Sequence, residues 1–338
     1  MSKKQVPVAF VASLSRPYQV CGTGFRWTSS TSWDYWCLIP VRTLITCHVM
    51  TEEHAKSRAG SNQMDPFHYI HLSGMEVDVR GSHIGLFTSH DNSSGATSLV
   101  VINLLDNRLH RLIEEPLKRV RSAIVRRSDS KEPMNPWFAH LIFLSSALRW
   151  WNNVLFCFNQ QLVKHEKKLQ EEIERQSSAF STESKTINTA LHTMAAHLHR
   201  YKSELSRVEF ILNELKSPKF STHADPLEKP LAATDDRDPT RFQIDRLVSQ
   251  LSAIMSFAGE LEKKIQNILT LLFNQIQVTN DQTLQAILNA SQIDAKMSQK
   301  IAFQSHQLSI SMKNDSVAMK TIAIVTMTFL PAASFAVG

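Results

Sequence analysis

Along three long stretches of this chain, apolar residues recur at steps of three and four positions. The first row is Leu141, Leu144, Leu148, Trp151, Leu155, Phe158, Leu162, His165 and Leu169. The second is Ile187, Leu191, Met194, Leu198, Tyr201, Leu205, Val208, Leu212 and Leu215. The third is Leu247, Leu251, Ile254, Ala258, Leu261, Ile265, Ile268 and Leu272. Such a step places every member of a row on one face of a helix, and that face must be covered by another packed element. The first seam has one polar member, His165, which reads as a satisfied interior histidine rather than a ligand. Asn135-Pro136 supplies an N-cap and a proline at the first helical position. The polar stretch from Gln176 to Ser184 forms the link, so the first two helices are predicted to pack antiparallel. Ser217-Pro218 closes the second helix, because the residue before proline is driven out of the helical region. Pro226, Pro230 and Asp235-Asp236 mark a linker, and Asn280-Asp281 reads as an interruption or a cap in the helical pattern beyond the third seam. The three helices make a bundle or a long hairpin.

The first 115 or so residues have another texture. Val6 to Val11 and Thr97 to Leu104 are apolar and β-branched and read as buried strands, with Trp33 to Val41 as a third. Ser29 to Ser32 and Ser89 to Ser98 carry turn chemistry. This part is expected to be a small α/β or α+β domain. The four cysteines, Cys21, Cys37, Cys47 and Cys157, contain no C-x-x-C pair, which excludes a zinc ribbon and a dense disulfide framework. The N-terminus holds no apolar run of signal-peptide length.

A net charge of +6 over 338 residues is modest, and no basic cluster is interleaved with aromatics as in a nucleic-acid binder. The densest block, Lys118, Arg119, Arg121, Arg126, Arg127 and Lys131, follows Pro116 and reads as a solvated helix face backed by Ile124 and Val125. Contact with acidic lipid head groups is its alternative use. Gly22-x-Gly24 lacks the third glycine of a dinucleotide loop. His68-x-x-His71 has no third ligand nearby, and no two of His192, His197 and His199 stand four apart. Cys47-His48 has no acid that the sequence can pair with it. None of these is a catalytic set, and the chain is read as not an enzyme, with no small organic substrate.

Beyond Leu284 the three-and-four walk continues, but its members change. They are Ser291, Asp294, Ser298, Ile301, Ser305, Leu308, Met312, Asp315, Met319, Ile322 and Thr326. Burying Asp294 or Asp315 unpaired would cost several kcal/mol, so this stripe faces solvent or lines a wet axis shared with copies of itself. After Lys320 no charged residue appears. Eighteen residues at ~1.5 Å each reach about 27 Å, one membrane span at its lower limit. Pro331 inside the span is tolerable where hydroxyls such as Thr328 and neighbouring helices take up the freed carbonyl. The apolar part of the Trp137 helix is broken by Arg149, Asn152 and Asn153 and does not qualify.

The run Met319-Lys-Thr-Ile-Ala-Ile-Val-Thr-Met-Thr-Phe-Leu-Pro331, after Asn314-Asp-Ser, resembles the start of the first membrane helix of CorA-type magnesium and divalent cation transporters. It looks most like their divergent eukaryotic branch, as do the Asn135-Pro-Trp-Phe helix start and the long helix feeding the membrane. The resemblance covers residues 133–338. It implies a homopentamer whose long helices surround an axis and continue as the pore, beneath a cytoplasmic domain. Carried over to this sequence, Asp315 or Ser316 stands at the pore mouth, with Asp315 the metal-facing carboxylate. Met319, Ile322, Thr326, Leu330 and Ala333 come next down the pore. Helical spacing alone puts this set on one face. Apolar rings close a wet pore by dewetting, while hydroxyls and a carboxylate ring hold hydrated Mg²⁺ through its water. The family's Gly-Met-Asn loop and second span are absent from the sequence, so the resemblance implies an incomplete transporter or a relic that no longer transports.

The expected fold is therefore α+β and predominantly helical. Residues 1–132 form a cytoplasmic N-terminal domain, 133–217 an antiparallel helix hairpin, 218–241 a linker, 242–320 bundle and stalk helices, and 321–338 an incomplete first transmembrane helix. The expected function is a divalent cation (Mg²⁺) channel subunit with no covalent cofactor, membrane lipid as a partner, and no nucleic acid. The alternatives are a coiled-coil scaffold or tail-anchored interaction protein without transport, and a regulatory metal sensor.

Overall fold

The computed structural model describes residues 6–15, 22–46, 69–103, 110–128, 135–174, 182–217 and 239–335. Side chains at 15, 46, 110–111, 127–128, 182–183, 325–326 and 328–335 lie outside the description. So do Cys21, Cys47, His48, His68, Leu104 and Lys131, and residues 218–238 of the predicted 218–241 linker, whose last three residues are helical instead.

The described protein is α+β and mostly helical. Its elements are helix α1 (Val8–Ser15), strands β1 (Gly24–Trp27), β2 (Ser32–Thr46), β3 (Tyr69–Leu72), β4 (Val77–Asp91) and β5 (Ala96–Asn103), then helices α2 (His110–Ser128), α3 (Phe138–Glu174), α4 (Thr182–Lys216) and α5 (Pro239–Phe335). Two units result. The first comprises residues 1–175 and 181–272, the second 176–180 and 273–338, so α5 contributes a proximal section to one and a distal section to the other.

In the first unit the sheet is antiparallel throughout, in the order β1-β2-β4-β3 with β5 also on β4. Strands β2 and β4 pair along all fifteen of their residues, from Ser32↔Asp91 to Thr46↔Val77. On its other edge β4 pairs β3 at one end and β5 at the other. Side chains alternate across a strand. Trp36 and Phe87, opposite one another, pack with Phe10, Leu14 and Ile102. Trp33 and Tyr35, one step out of phase with Trp36, pack instead against Trp137 at the start of α3. A Cβ on Gly85 would lie 2.8 Å from Leu14 Cδ2 and 3.3 Å from Phe10, so a bare backbone at that position lets α1 seat on the sheet.

Three readings of the N-terminal part change. Val6 to Val11 is not a strand. Pro7, Phe10 and Ser13 are its buried positions, a helical step, and the Phe10 and Val11 amides both donate to the Pro7 carbonyl. Thr97 to Leu104 is strand as far as Asn103, but β5 lies at the sheet edge and is half-exposed rather than buried. The polar run Ser89 to Ser98 is mostly strand. The turn occupies only 92–95, where the Asp91 carboxylate accepts from the Ser93 amide at 3.1 Å and Ser94 Oγ at 2.7 Å, and Gly95 takes φ +66°.

All three apolar seams are buried, every member included. Asn135 caps α3 as its type and position predict, its Oδ1 accepting the Trp137 amide at 2.8 Å. The first two helices are antiparallel: Ser184 bonds Glu172 near the link, while Phe158 and Trp151 meet Tyr201 further along. The proximal section of α5 joins them through Lys202–Glu262 at 2.7 Å, Lys216–Asp245 at 2.6 Å and Lys264–Glu166 at 3.3 Å. By length and composition α3 could cross a membrane, yet 67% of its most apolar window is buried in the protein, which makes it a core helix. Helix α2 buries Ile113, Pro116 and Val120. Ile124 and Val125, expected on its inner face, are exposed, so the basic block is not backed by them. Asn280-Asp281 neither interrupts nor caps, for α5 runs through it.

Candidate functional site

The distal section of α5, residues 273–335, is about 95 Å of helix at ~1.5 Å per residue. From Leu284 to Ile324 every residue is exposed. Asp315, Ser316, Met319 and Ile322 are among them, with Met319 at 71% and Ile322 at 62%. At ~100° per residue, Asp315, Met319 and Ile322 fall within an arc of about 60°, and Ser316 stands roughly 60° outside it. The backbone at 326, 330 and 333 continues the helix, but the side chains of Thr326, Leu330 and Ala333 lie outside the described residues. Thr321, the first residue of the uncharged run, donates its hydroxyl to the Val317 carbonyl at 2.8 Å. A hydroxyl satisfied within its own helix can enter an apolar medium at little cost.

A second apolar row on this helix escapes a reading of one face. Phe303, Ile310, Val317 and Ile324 recur at strict intervals of seven, and all four are exposed. They lie roughly opposite the Asp315 stripe, about 200° away. The walk continued from the third seam passes them by because it tracks a single face. A count at every heptad position reveals a helix that is apolar on two sides.

The first unit holds a buried charged network. Arg42 on β2 meets Glu204 on α4 side-on: Nε donates to Oε2 at 2.8 Å and Nη2 to Oε1 at 2.6 Å, both side chains nearly inaccessible. Arg200 adds a third bond to Glu204 at 3.1 Å, and the Arg42 guanidinium lies 4.8 Å over the Tyr201 ring. Burial pushes the Glu204 carboxyl up, but the Arg42 charge and hydrogen bond, with Arg200, hold it below its usual value. Burial, with Arg42 and its neighbours, pushes His83 down to about 4 although Glu204 opposes the shift. A Cβ on Gly81 would sit 2.5 Å from Arg42 Cζ, so that position leaves room for the guanidinium. Nothing here provides an open site. The network ties the sheet to the helices.

The other residues singled out by type fall to structural roles. Cys37 is fully buried, and burial with the Glu214 charge drives its thiol far up, the reverse of a nucleophile. His71 Nδ1 pairs with Asp78 at 2.8 Å on adjacent strands. His197 lies 3.5 Å from the Tyr201 hydroxyl. A Cβ on Gly24 would strike the Trp36 ring, so this glycine serves packing. Among the described residues no three histidine, cysteine or carboxylate side chains converge to hold a metal.

No protein-family model matches this chain, and no curated protein does. Among solved structures, the complete structure of the CorA magnesium transporter from Methanocaldococcus jannaschii is similar at 11% identity and a TM-score of 0.45, over 81% of this chain and 68% of that one. The structure of the soluble domain of CorA from the same organism is similar at 10% identity and a TM-score of 0.41, over 79% of this chain and 80% of that one.

Proposed function

We propose that this chain is a subunit of a CorA-like divalent cation channel with Mg²⁺ as its cargo. Copies gather the distal sections of α5 around a common axis, five to a ring. Asp315 and Ser316 stand at the mouth, and Met319, Ile322, Thr326, Leu330 and Ala333 line the way down. Residues 321–338 enter the membrane, and the first unit remains on the cytoplasmic side.

The observation that carries this reading is the distal helix itself. A helix that exposes apolar side chains on two faces over about eleven turns is incomplete without a partner. Serines and two aspartates interrupt the stripe that would face the axis, which suits a wet channel better than a dry seam. A ring of Asp315 carboxylates would hold hydrated Mg²⁺ through its water, and the Met319 and Ile322 rings would close the path when dry.

The test is the mass of the purified full chain in detergent, together with its behaviour in alkaline carbonate. Five copies and retention in the membrane pellet are expected. Recovery in the supernatant would overturn the membrane reading, and one or two copies would favour the scaffold.

A further inference from the structure

The charges that precede the uncharged run are sorted by face. Between Ile301 and Lys320 the charged side chains are Lys313, Asp315 and Lys320, with His306 as a further titratable group. At ~100° per residue, Lys313 and Lys320 stand about 160° and 140° round the helix from Asp315, and His306 about 180°. Negative charge therefore occupies one side of this stretch and positive charge the other. All four side chains are exposed. Asp315 and Lys320 border one shallow groove along the helix, with Ser316 and Met319 between them. Neither lysine has an ion-pair partner among the described residues.

Val317 follows Lys313 by four residues and precedes Lys320 by three, so the three side chains adjoin on the helix. It is exposed, and Ile324, four residues after Lys320, carries the same face into the uncharged run. Lys320 is the last charged residue, and Lys313 lies about 10 Å before it at ~1.5 Å per residue. That separation is close to one Debye length at physiological ionic strength, about 8 Å. Both ammonium groups therefore feel a charged surface at the level of Thr321. His306 and Lys300, about 21 Å and 30 Å before Lys320, do not. The other carboxylates beyond Phe273, Asp294 and Asp281, lie about 39 Å and 58 Å before it and neutralise neither lysine.

Two unpaired ammonium groups astride an apolar side chain, where a helix passes from charged to uncharged sequence, match the anionic head groups of a bilayer. The lysine stems lie along apolar surface while their charges reach for phosphate. An acidic protein segment would answer the charges but not the continuation of the same face into an uncharged, apolar run.

We propose that Lys313 and Lys320 bind anionic phospholipid head groups of the cytoplasmic leaflet. The proposal rests on the reading in which residues 321–338 enter the membrane, and it adds the class of lipid and the residues that select it. With the Asp315 stripe turned to the axis, the two lysines of each copy face the bilayer, which keeps their positive charge off the cation path.

The experiment is electron spin resonance of the full chain reconstituted in phosphatidylcholine vesicles, with spin-labelled phosphatidylserine or phosphatidylcholine as the probe. The motionally restricted fraction of each probe measures its association with the protein. Phosphatidylserine is expected to be favoured about five-fold, the equivalent of one lysine at an anionic surface. Lys313→Gln combined with Lys320→Gln should bring the two lipids near parity, and each single change should remove part of the preference. Lys313→Arg with Lys320→Arg should keep it, because charge is what the lipid reads. Lys296→Gln with Lys300→Gln should leave it unaltered, and 1 M salt, with a Debye length of about 3 Å, should suppress it. Restricted lipid of both kinds without preference, a preference that survives Lys313→Gln with Lys320→Gln, or displacement of the labelled lipid by inorganic phosphate at matched ionic strength would each overturn the proposal and leave the channel reading standing. No restricted lipid of either kind would overturn both.

Discussion

Arg42 and Glu204 show what one buried pair does when its geometry is complete. Two charges removed from water are costly, and the side-on double bond, the Arg200 contact and the Tyr201 ring offset that cost. Glu204→Gln leaves a buried guanidinium with a weaker acceptor, and Arg42→Met takes two of its hydrogen bonds from the buried Glu204 carboxylate and leaves it to Arg200. Each should lower stability by about 3–5 kcal/mol, and the double variant Arg42→Met with Glu204→Leu by clearly less than their sum. Chemical denaturation of the four proteins measures this. His140 behaves differently. It is fully buried beside Tyr35 and Trp137, neither ring nitrogen finds a partner among the described residues, and burial pushes its pKa down to about 3. His83 is pushed down to about 4. The unfolded chain binds these protons from about pH 6.5 downwards while the folded chain resists them. Stability is therefore full above about pH 6.5 and falls as pH drops towards the folded values. His140→Phe should remove part of that acid loss and leave stability at pH 7.5 unchanged or higher, because it deletes two unmet polar atoms at similar volume. Melting temperatures at pH 7.5 and pH 5 check it, and an unaltered slope would contradict it.

At the scale of elements, the same α5 helix is solved in two ways. Up to Leu272 its third seam is buried, on the section tied to α3 and α4 by ion pairs, while Phe242 and Leu271 stand exposed. From Leu284 to Ile324 its apolar residues occupy two faces and are exposed. If copies surround an axis with the Asp315 stripe inward, Met319→Cys residues on neighbouring chains approach one another, whereas Val317→Cys residues point away. Mild oxidation in membranes should thus yield cross-linked multimers for Met319→Cys and few for Val317→Cys. The opposite ranking would turn the helix around and displace the stripe from the axis. In the first unit, α1 depends on a missing side chain. Gly85→Val would drive two methyls into Leu14 and Phe10, and should cost about 1–3 kcal/mol with loss of α1 from the sheet. Amide exchange over residues 8–15 would report it.

For the whole molecule, the two units make separate claims. The first has its own sheet, three covered seams and the Arg42–Glu204 link. A chain ending at Leu272 should unfold cooperatively, with a melting temperature within a few degrees of that of the full chain. A broad, non-cooperative transition would mean that this core depends on residues further on. The second unit shows, among its described residues, one helix with exposed apolar faces, which copies or lipid would cover on the proposed reading. The full chain should therefore associate in detergent while the shortened one does not, and light scattering of both separates the two properties.

The helical seams were legible in the sequence because their period is local. A residue three or four places on shares a face in any helix, so the rows through Leu141, Ile187 and Leu247 announced buried stripes before any partner was known. Asn135-Pro136 declared its cap for the same reason, since a cap concerns only its own first turn. The uncharged end was equally readable as composition. Strand β4 was not. Gly81, Ser82, His83 and Gly85 look like a loop when read locally, yet they form the middle of the central strand. Gly81 leaves room for Arg42 and Gly85 for Leu14, and both needs arise only once β2 and α1 are in place. The bond from the Gly74 amide to Gln161 Oε1 was hidden likewise, because the two residues lie eighty-seven positions apart. Periodicity is carried by the chain itself, whereas strand pairing, close approach and hydrogen-bond satisfaction depend on residues far apart in sequence, and folding decides them.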